Sequence, residues 1–186
     1  QMAANEAQEE AIRLYNIGVD IHKRCGPSGH EGILQLQQNI SVCLTALGRN
    51  EEALSLDKLV HTGCAAVYGA SSVYSIRQGL NLATSLNNLS HFEEARGLAE
   101  EQLELAQRSL GPDHELTLLL RRTIPKNTFL DRANHSADEL RAAKDELEDV
   151  YQAMKRVLGN AHPHTQITAR YCAAADANLD EGIANM

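Results

Sequence analysis

Four glycines set the rhythm of this chain. Cys25-Gly26-Pro27, Tyr68-Gly69-Ala70, Leu110-Gly111-Pro112 and Leu158-Gly159-Asn160 mark points 43, 42 and 48 residues apart. A period of this size is the signature of a helical repeat array, whose units are too small to bury their apolar faces alone and stack on their neighbours. Sliding the chain by 42 superposes Gln38–Leu56 on Leu80–Leu98 with seven identities in nineteen positions. Asn39 falls on Asn81, Leu44 on Leu86, Leu47 on Leu89, Glu51-Glu52-Ala53 on Glu93-Glu94-Ala95, and Leu56 on Leu98.

Between glycines each unit reads as two antiparallel helices. Gly48-Arg49-Asn50 forms the inner turn of the first full unit and Ser90-His91-Phe92 that of the next. Glu51 and Glu93 then open the second helices, where an acid suits the positive end of the helix dipole. Apolar stripes recur at three- and four-residue steps through Ala95, Ala99, Leu103, Ala106 and Leu110, and through Leu140, Ala143, Leu147, Val150, Met154 and Val157. The second stripe spans under three heptads, so packing inside the repeat explains it better than a coiled coil. On its solvent side Arg141 with Asp145 and Lys144 with Glu148 are spaced for i,i+4 pairs.

The resulting division is a partial repeat contributing its second helix over 3–26, repeats at 27–69 and 70–111, an irregular repeat at 112–159 and a partial terminal repeat at 160–186. The irregular unit is six residues longer than its predecessor and carries Pro125 within its first helix. A proline there removes a backbone donor, so the helix is expected to kink or end and the chain to loop from Pro125 to His135. Ser136-Ala137-Asp138-Glu139 has the form of a capping box and starts the next helix. The chain opens on Gln1 and both ends read as half units. It is therefore expected to be part of something longer, or to have its ends covered by partners.

Composition narrows function. Apolar residues make up 43% of the 186 but aromatics only 4%, with no Trp, which calls for a core of Leu and Ala between close-packed helices. A net charge of −8 disfavours a nucleic-acid partner, because such binding rests on Lys and Arg neutralising phosphates. No apolar run approaches the ~20 residues that span a bilayer, and the N-terminus is acidic where a secretory signal is basic and then apolar. The expected setting is intracellular and reducing, cytoplasmic or inside an organelle. Cys25, Cys43, Cys64 and Cys172 are too widely spaced for a zinc site or disulfide framework and read as free thiols. The acceptor tripeptides at Asn39, Asn88 and Asn134 read as chance matches.

His30, His114 and His162 recur at one repeat position, which marks them as linker residues and not as converging ligands. With no nucleophile motif, phosphate loop or carboxylate pair, the chain reads as non-catalytic, without metal or cofactor.

The motifs resemble the tetratricopeptide repeat, in particular its 42-residue kinesin-light-chain subclass. Leu158-Gly159-Asn160-Ala161-His162-Pro163 matches that subclass's linker, Leu80-Asn81-Leu82-Ala83 its first-helix core but for one residue, and Ser90-His91-Phe92-Glu93-Glu94-Ala95 its turn, with Ser for Gly. The resemblance implies an all-α, right-handed superhelical solenoid whose first helices line a concave face. It implies protein binding there, with an Asn contacting the backbone of an extended peptide. By position that Asn is Asn39 and Asn81, surrounded by Gln35, Gln38, Arg77, Asn87 and Asn88; Thr123 and Tyr171 replace it in the last two units. An amide side chain donates and accepts at once, so it matches both groups of a peptide bond. The alternative for these residues is a wet surface, or amides that tie one helix to the next.

Arg121, Arg122, Lys126 and Arg132 form the one basic cluster, suited either to acidic groups of a partner or to solvating a helix. A protein-binding scaffold is thus the leading expectation. A structural subunit docking through its ends and outer faces, including the alanines around Ala173 to Ala177, is the other.

Overall fold

The computed structural model describes residues 2–24 and 30–184, with side chains described as far as 177; Cys25, and the side chain of His30, lie outside. The described residues form eight α-helices and no strand. Two compact units divide them, Gln1–His91 and Phe92–Met186. The first holds α1 (Met2–Arg24), α2 (His30–Ala46), α3 (Asn50–Tyr68) and α4 (Val73–Asn88). The second holds α5 (Phe92–Ser109), α6 (Glu115–Leu130), α7 (Ala137–Leu158) and α8 (Pro163–Ala184). Within each unit every helix packs on the next in sequence, and α6 also meets α8.

The turns follow from the punctuation read in sequence. Gly48 has φ 76° and closes α2, with the Arg49 N–H donating to the Leu44 carbonyl at 2.9 Å. One repeat later Ser90 adopts the same left-handed conformation, φ 62°, and the His91 N–H donates to Leu86 O at 2.9 Å. Both are six-to-one closures that satisfy a terminal carbonyl.

The recurrent histidines have a local task. His114 Nδ1 accepts from the Leu116 N–H at 3.2 Å and His162 Nδ1 from the His164 N–H at 3.3 Å, while Ser72, at the equivalent place, accepts from the Ser75 N–H at 3.2 Å. These side chains cap α4, α6 and α8, satisfying donors that have no partner inside the helix. Ser136 and Glu139 form the expected capping box of α7, and those hydrogen bonds hold the Glu139 carboxyl below its ordinary range.

The apolar stripes face inward. Val19, Ile40, Leu44 and Ala53 knit α1, α2 and α3, with Ile12, Tyr15 and Leu36 around them. Leu147, Cys172 and Ala175 join α7 to α8 beside Phe129 and Tyr171. Ala95, Ala99 and Ala106 are buried, as are Ala143, Val150 and Met154, whereas Val157 is exposed.

Two expectations are corrected. The helix carrying Pro125 neither ends nor loops there: α6 runs on to Leu130, and Pro125 is buried inside it. An interior proline costs ~3 kcal/mol. Burial on both sides of it, at Leu116, Leu118 and Leu120 and at Thr123, Asn127 and Thr128, holds the helix together. Because α6 and α4 are both 16 residues long, the extra residues of this unit fall in the turn from Asp131 to Ser136 and at the start of α7. The second correction concerns ion pairs on α7. Arg141 bonds Asp138 at 2.7 Å, where an acid sits beside the helix start, and Lys144 reaches Asp176 on α8.

Candidate functional site

In the first unit the polar faces of α2 and α4 lie side by side and enclose two hollows. One, of about 290 Å³, is lined by Gln38, Ser41, Val42 and Thr45 of α2, by Asn81, Thr84, Ser85 and Asn88 of α4, and by Asp57 of α3. The other, also about 290 Å³, is lined by Gln35, Gln38, Arg77 and Asn81 together with Glu31, Tyr68 and Tyr74. Gln38 and Asn81 belong to both. Asn81 Nδ2 donates to Gln38 Oε1 at 3.1 Å and to Gln78 Oε1 at 3.0 Å, so this bridge is the common wall of the two hollows. The amide therefore does tie one helix to its neighbour, as the alternative reading allowed, while its oxygen has no hydrogen-bond partner within the described residues.

The expected residues do not all converge. Gln35, Gln38, Arg77, Asn81 and Asn88 line the hollows. Asn39, the positional match of Asn81, is half-buried and lines neither, and the Asn87 side chain is turned into the protein with neither amide atom hydrogen-bonded. Sequence reasoning missed Asp57, Ser41 and Ser85 on the floor of the first hollow and the stacked Tyr68–Tyr74 pair at the second, centroids 5.1 Å apart. Burial, helped by Glu31, pushes the Tyr68 phenol up. For Asp57 a signal existed: the column of the repeat it occupies holds Ala99 and Leu147 elsewhere.

Arg122 and Lys126 stand on α6 in the second unit, where both approach the Tyr171 ring, at 5.8 and 5.7 Å from its centroid. Arg122 Nη1 reaches the His164 carbonyl at 3.5 Å and Thr168 Oγ1 at 3.4 Å, and its Nε is buried without a partner. Burial draws both cations down from their ordinary values, and for Lys126 the nearby guanidinium adds to the effect. Among the described residues neither is paired with a carboxylate. Tyr171, at the position of the repeat's Asn, has become an aromatic platform for two cations.

Among the described residues no group of three or more His, Cys, Asp and Glu could hold a metal ion, and no helix is long and apolar enough to cross a membrane. Cys43, Cys64 and Cys172 are buried free thiols, and burial, ahead of Glu148, pushes Cys172 up to about 11.

The tetratricopeptide repeat family model matches residues 80–115. Residues 80–115 thus carry a tetratricopeptide repeat, and the chain has the all-helical fold of kinesin-light-chain-like repeats. The nearly identical TPR-like repeats of a Podosopora anserina kinesin light chain superpose with a TM-score of 0.72 and 21% identity, over 97% of this chain and 83% of that one. A substituted form of the same repeats gives 0.73. BtubC (BKLC) from P. vanneervenii gives 0.59 at 17% identity, over 98% and 85%. No curated protein sequence shows significant similarity to the chain. This repeat fold is in general that of a non-catalytic protein-interaction scaffold.

Proposed function

We propose that the chain is a non-catalytic, intracellular scaffold whose α2/α4 face binds an extended segment of a partner polypeptide. The observation that carries the reading is the continuous pair of hollows that meet at Gln38–Asn81. From Glu31 to Ala46 they follow α2 for ~22 Å at the helical rise, enough for about six or seven extended residues. The lining amides and hydroxyls match peptide groups at ~1 kcal/mol net per hydrogen bond, so several must act together. On the repeat division 27–69 and 70–111, this face belongs to the first helices of two successive repeats. Arg122 and Lys126, which meet no carboxylate among the described residues and stand beside Tyr171, supply a second contact suited to acidic groups of a partner. The net charge of −8 argues against a nucleic-acid partner, and the buried free thiols fit a reducing compartment.

The test is selection of peptides on the immobilised chain, followed by titration against Gln38→Ala and Asn81→Ala. Each substitution should weaken binding about fivefold or more with helicity unchanged. Equal affinity of the selected peptides for wild type and both variants refutes the proposal.

One observation favours the second reading, a structural subunit. Leu14, Ile17 and Ile21 lie on one face of α1 at helical spacing and are 58, 57 and 55% exposed. If that face docks in an assembly, changing all three to Ser should release the chain from complexes that Asn81→Ala leaves intact. Retention of the triple variant in those complexes would exclude it.

A further inference from the structure

The floor of the first hollow carries a group that the fold does not satisfy. Asp57 is 4% exposed, and its Oδ2 accepts a 2.5 Å hydrogen bond from Ser85 Oγ. Its other oxygen, Oδ1, is shielded from water and has no hydrogen-bond partner. Among the described residues no Lys, Arg or His pairs with it. Proteins rarely leave a carboxylate in this condition, because taking a charge out of water without a partner is among the most unfavourable of substitutions.

The repeat shows how unusual the placement is. The 42-residue shift carries position 57 onto 99, and the 48-residue spacing of the last two glycines carries 99 onto 147. The occupants there are Ala99 and Leu147, 0 and 1% exposed. This is a core column, which elsewhere in the chain takes apolar side chains. A departure from a local rule that the rest of the molecule obeys is where function is to be sought.

We infer that the α2/α4 hollow is the receptor for one basic side chain, Lys or Arg, of the partner polypeptide, with Asp57 Oδ1 as its acceptor. The inference rests on the peptide-binding reading above and names the chemistry that this site selects. Val42 and Ala46 offer apolar wall to an aliphatic stem, while Gln38 and Asn88 at the rim can receive the remaining N–H groups. Oδ1 itself is closed off by its neighbours in the unbound protein; Ser41, Thr45 and Ser85 are small side chains lining the same hollow, and their rotation lets a slender side chain reach it. A charge-assisted hydrogen bond formed away from water is also among the stronger contacts a peptide can make. An apolar side chain would leave Asp57 uncompensated and an acidic one would meet like charge, so the hollow rejects wrong partners as well as holding the right one. The surplus of acids over bases in the whole chain draws a basic segment toward it.

The experiment selects a displayed library of random dodecapeptides on the immobilised chain. A labelled selected peptide, and a version with norleucine in place of its basic residue, are then titrated against wild type, Asp57→Asn and Asn81→Ala. The expected result is a shared Lys or Arg position, a preference of about tenfold or more for Lys over norleucine on wild type, and a preference below about twofold on Asp57→Asn. The unfolding midpoint of Asp57→Asn should equal or exceed that of wild type, and Asn81→Ala should weaken both peptides. Peptides that respond to Asn81→Ala but show no basic position, or keep their tenfold preference on Asp57→Asn, overturn the assignment of Asp57 and leave groove binding standing. Selected peptides indifferent to Asn81→Ala, or none selected at all, overturn groove binding and this inference with it. Should Asp57→Asn fail to fold, a preference below about threefold on wild type overturns the assignment by itself.

Discussion

Gly48 and Ser90 occupy the same place one repeat apart, and exchanging their chemistry gives opposite predicted effects. Both have positive φ, 76° and 62°, and both end a first helix through the same closure onto Leu44 or Leu86. For a residue with a Cβ the left-handed conformation costs about 1–2 kcal/mol. Against this, replacing Gly by Ala narrows the unfolded ensemble and returns about 0.4–1 kcal/mol. A Cβ built on Gly48 meets nothing within 4 Å, so no clash enters and backbone strain alone decides the outcome. Gly48→Ala should therefore destabilise by about 1 kcal/mol, and Ser90→Gly should stabilise by about the same amount. In a chain of this size 1 kcal/mol corresponds to about 2–4 °C in Tm. Urea and thermal unfolding followed by far-ultraviolet circular dichroism would read both shifts, with unchanged m-values showing that the extent of unfolding is the same. A fall in stability for Ser90→Gly, or a shift of both variants in one direction, would refute the argument that these turns are limited by φ.

Three further outcomes are expected. His114→Ala should cost about 1 kcal/mol through the lost cap of α6, and His114→Asn should restore most of it; amide exchange at Leu116 and its neighbours is the readout, and equal protection in both variants would refute the capping role. Cys172 should react with iodoacetamide at pH 8 far more slowly in the folded chain than in urea, since its thiol titrates near 11 and only the thiolate attacks. Because the folded value is the higher one, the contribution of this thiol to stability is full below the unfolded value of about 9 and is lost as pH rises toward 11; alkylation rates alike in both states would dismiss the burial argument. Gly63→Ala should place a Cβ about 2.5 Å from Leu34 Cδ2, so the end of that side chain must move; overpacking costs about 1–3 kcal/mol and removing an interior helix glycine returns about 1 kcal/mol, so a net loss of about 0–2 kcal/mol is expected. Because Leu34 borders the second hollow, peptide affinity should change, and unchanged affinity together with a raised melting temperature would count against the close approach of α2 and α3.

Much of this arrangement is legible along the chain because repeat proteins state their fold locally. The glycines, the recurrent His and Ser caps and the Glu-Glu-Ala starts each act over four or five residues, so their spacing alone places the helices. Pro125 misled for the complementary reason. Its cost is local and visible, but the burial that overrides it comes from segments far away in sequence. The Arg141–Asp145 pair failed likewise, since Arg141 is held by Asp138 beside the helix start, and Lys144 has a partner, Asp176, on the following helix that the sequence does not indicate.

The candidate site divides in the same way. Asn39 and Asn81 were singled out by their repeat position and Gln38 as a neighbour, but that position does not tell that the Asn81 amide hydrogen-bonds Gln38, nor that Asn39 lines neither hollow. Asp57 reads in sequence as one acid among 25. Sequence by itself determined the glycine spacing, the capped helix starts and the apolar stripes, because hydrogen-bonding geometry and capping chemistry are settled within a few residues. Tertiary structure alone decided which polar groups are left buried and unmatched. Desolvation depends on every neighbour that shuts out water, and those neighbours come from three helices at once.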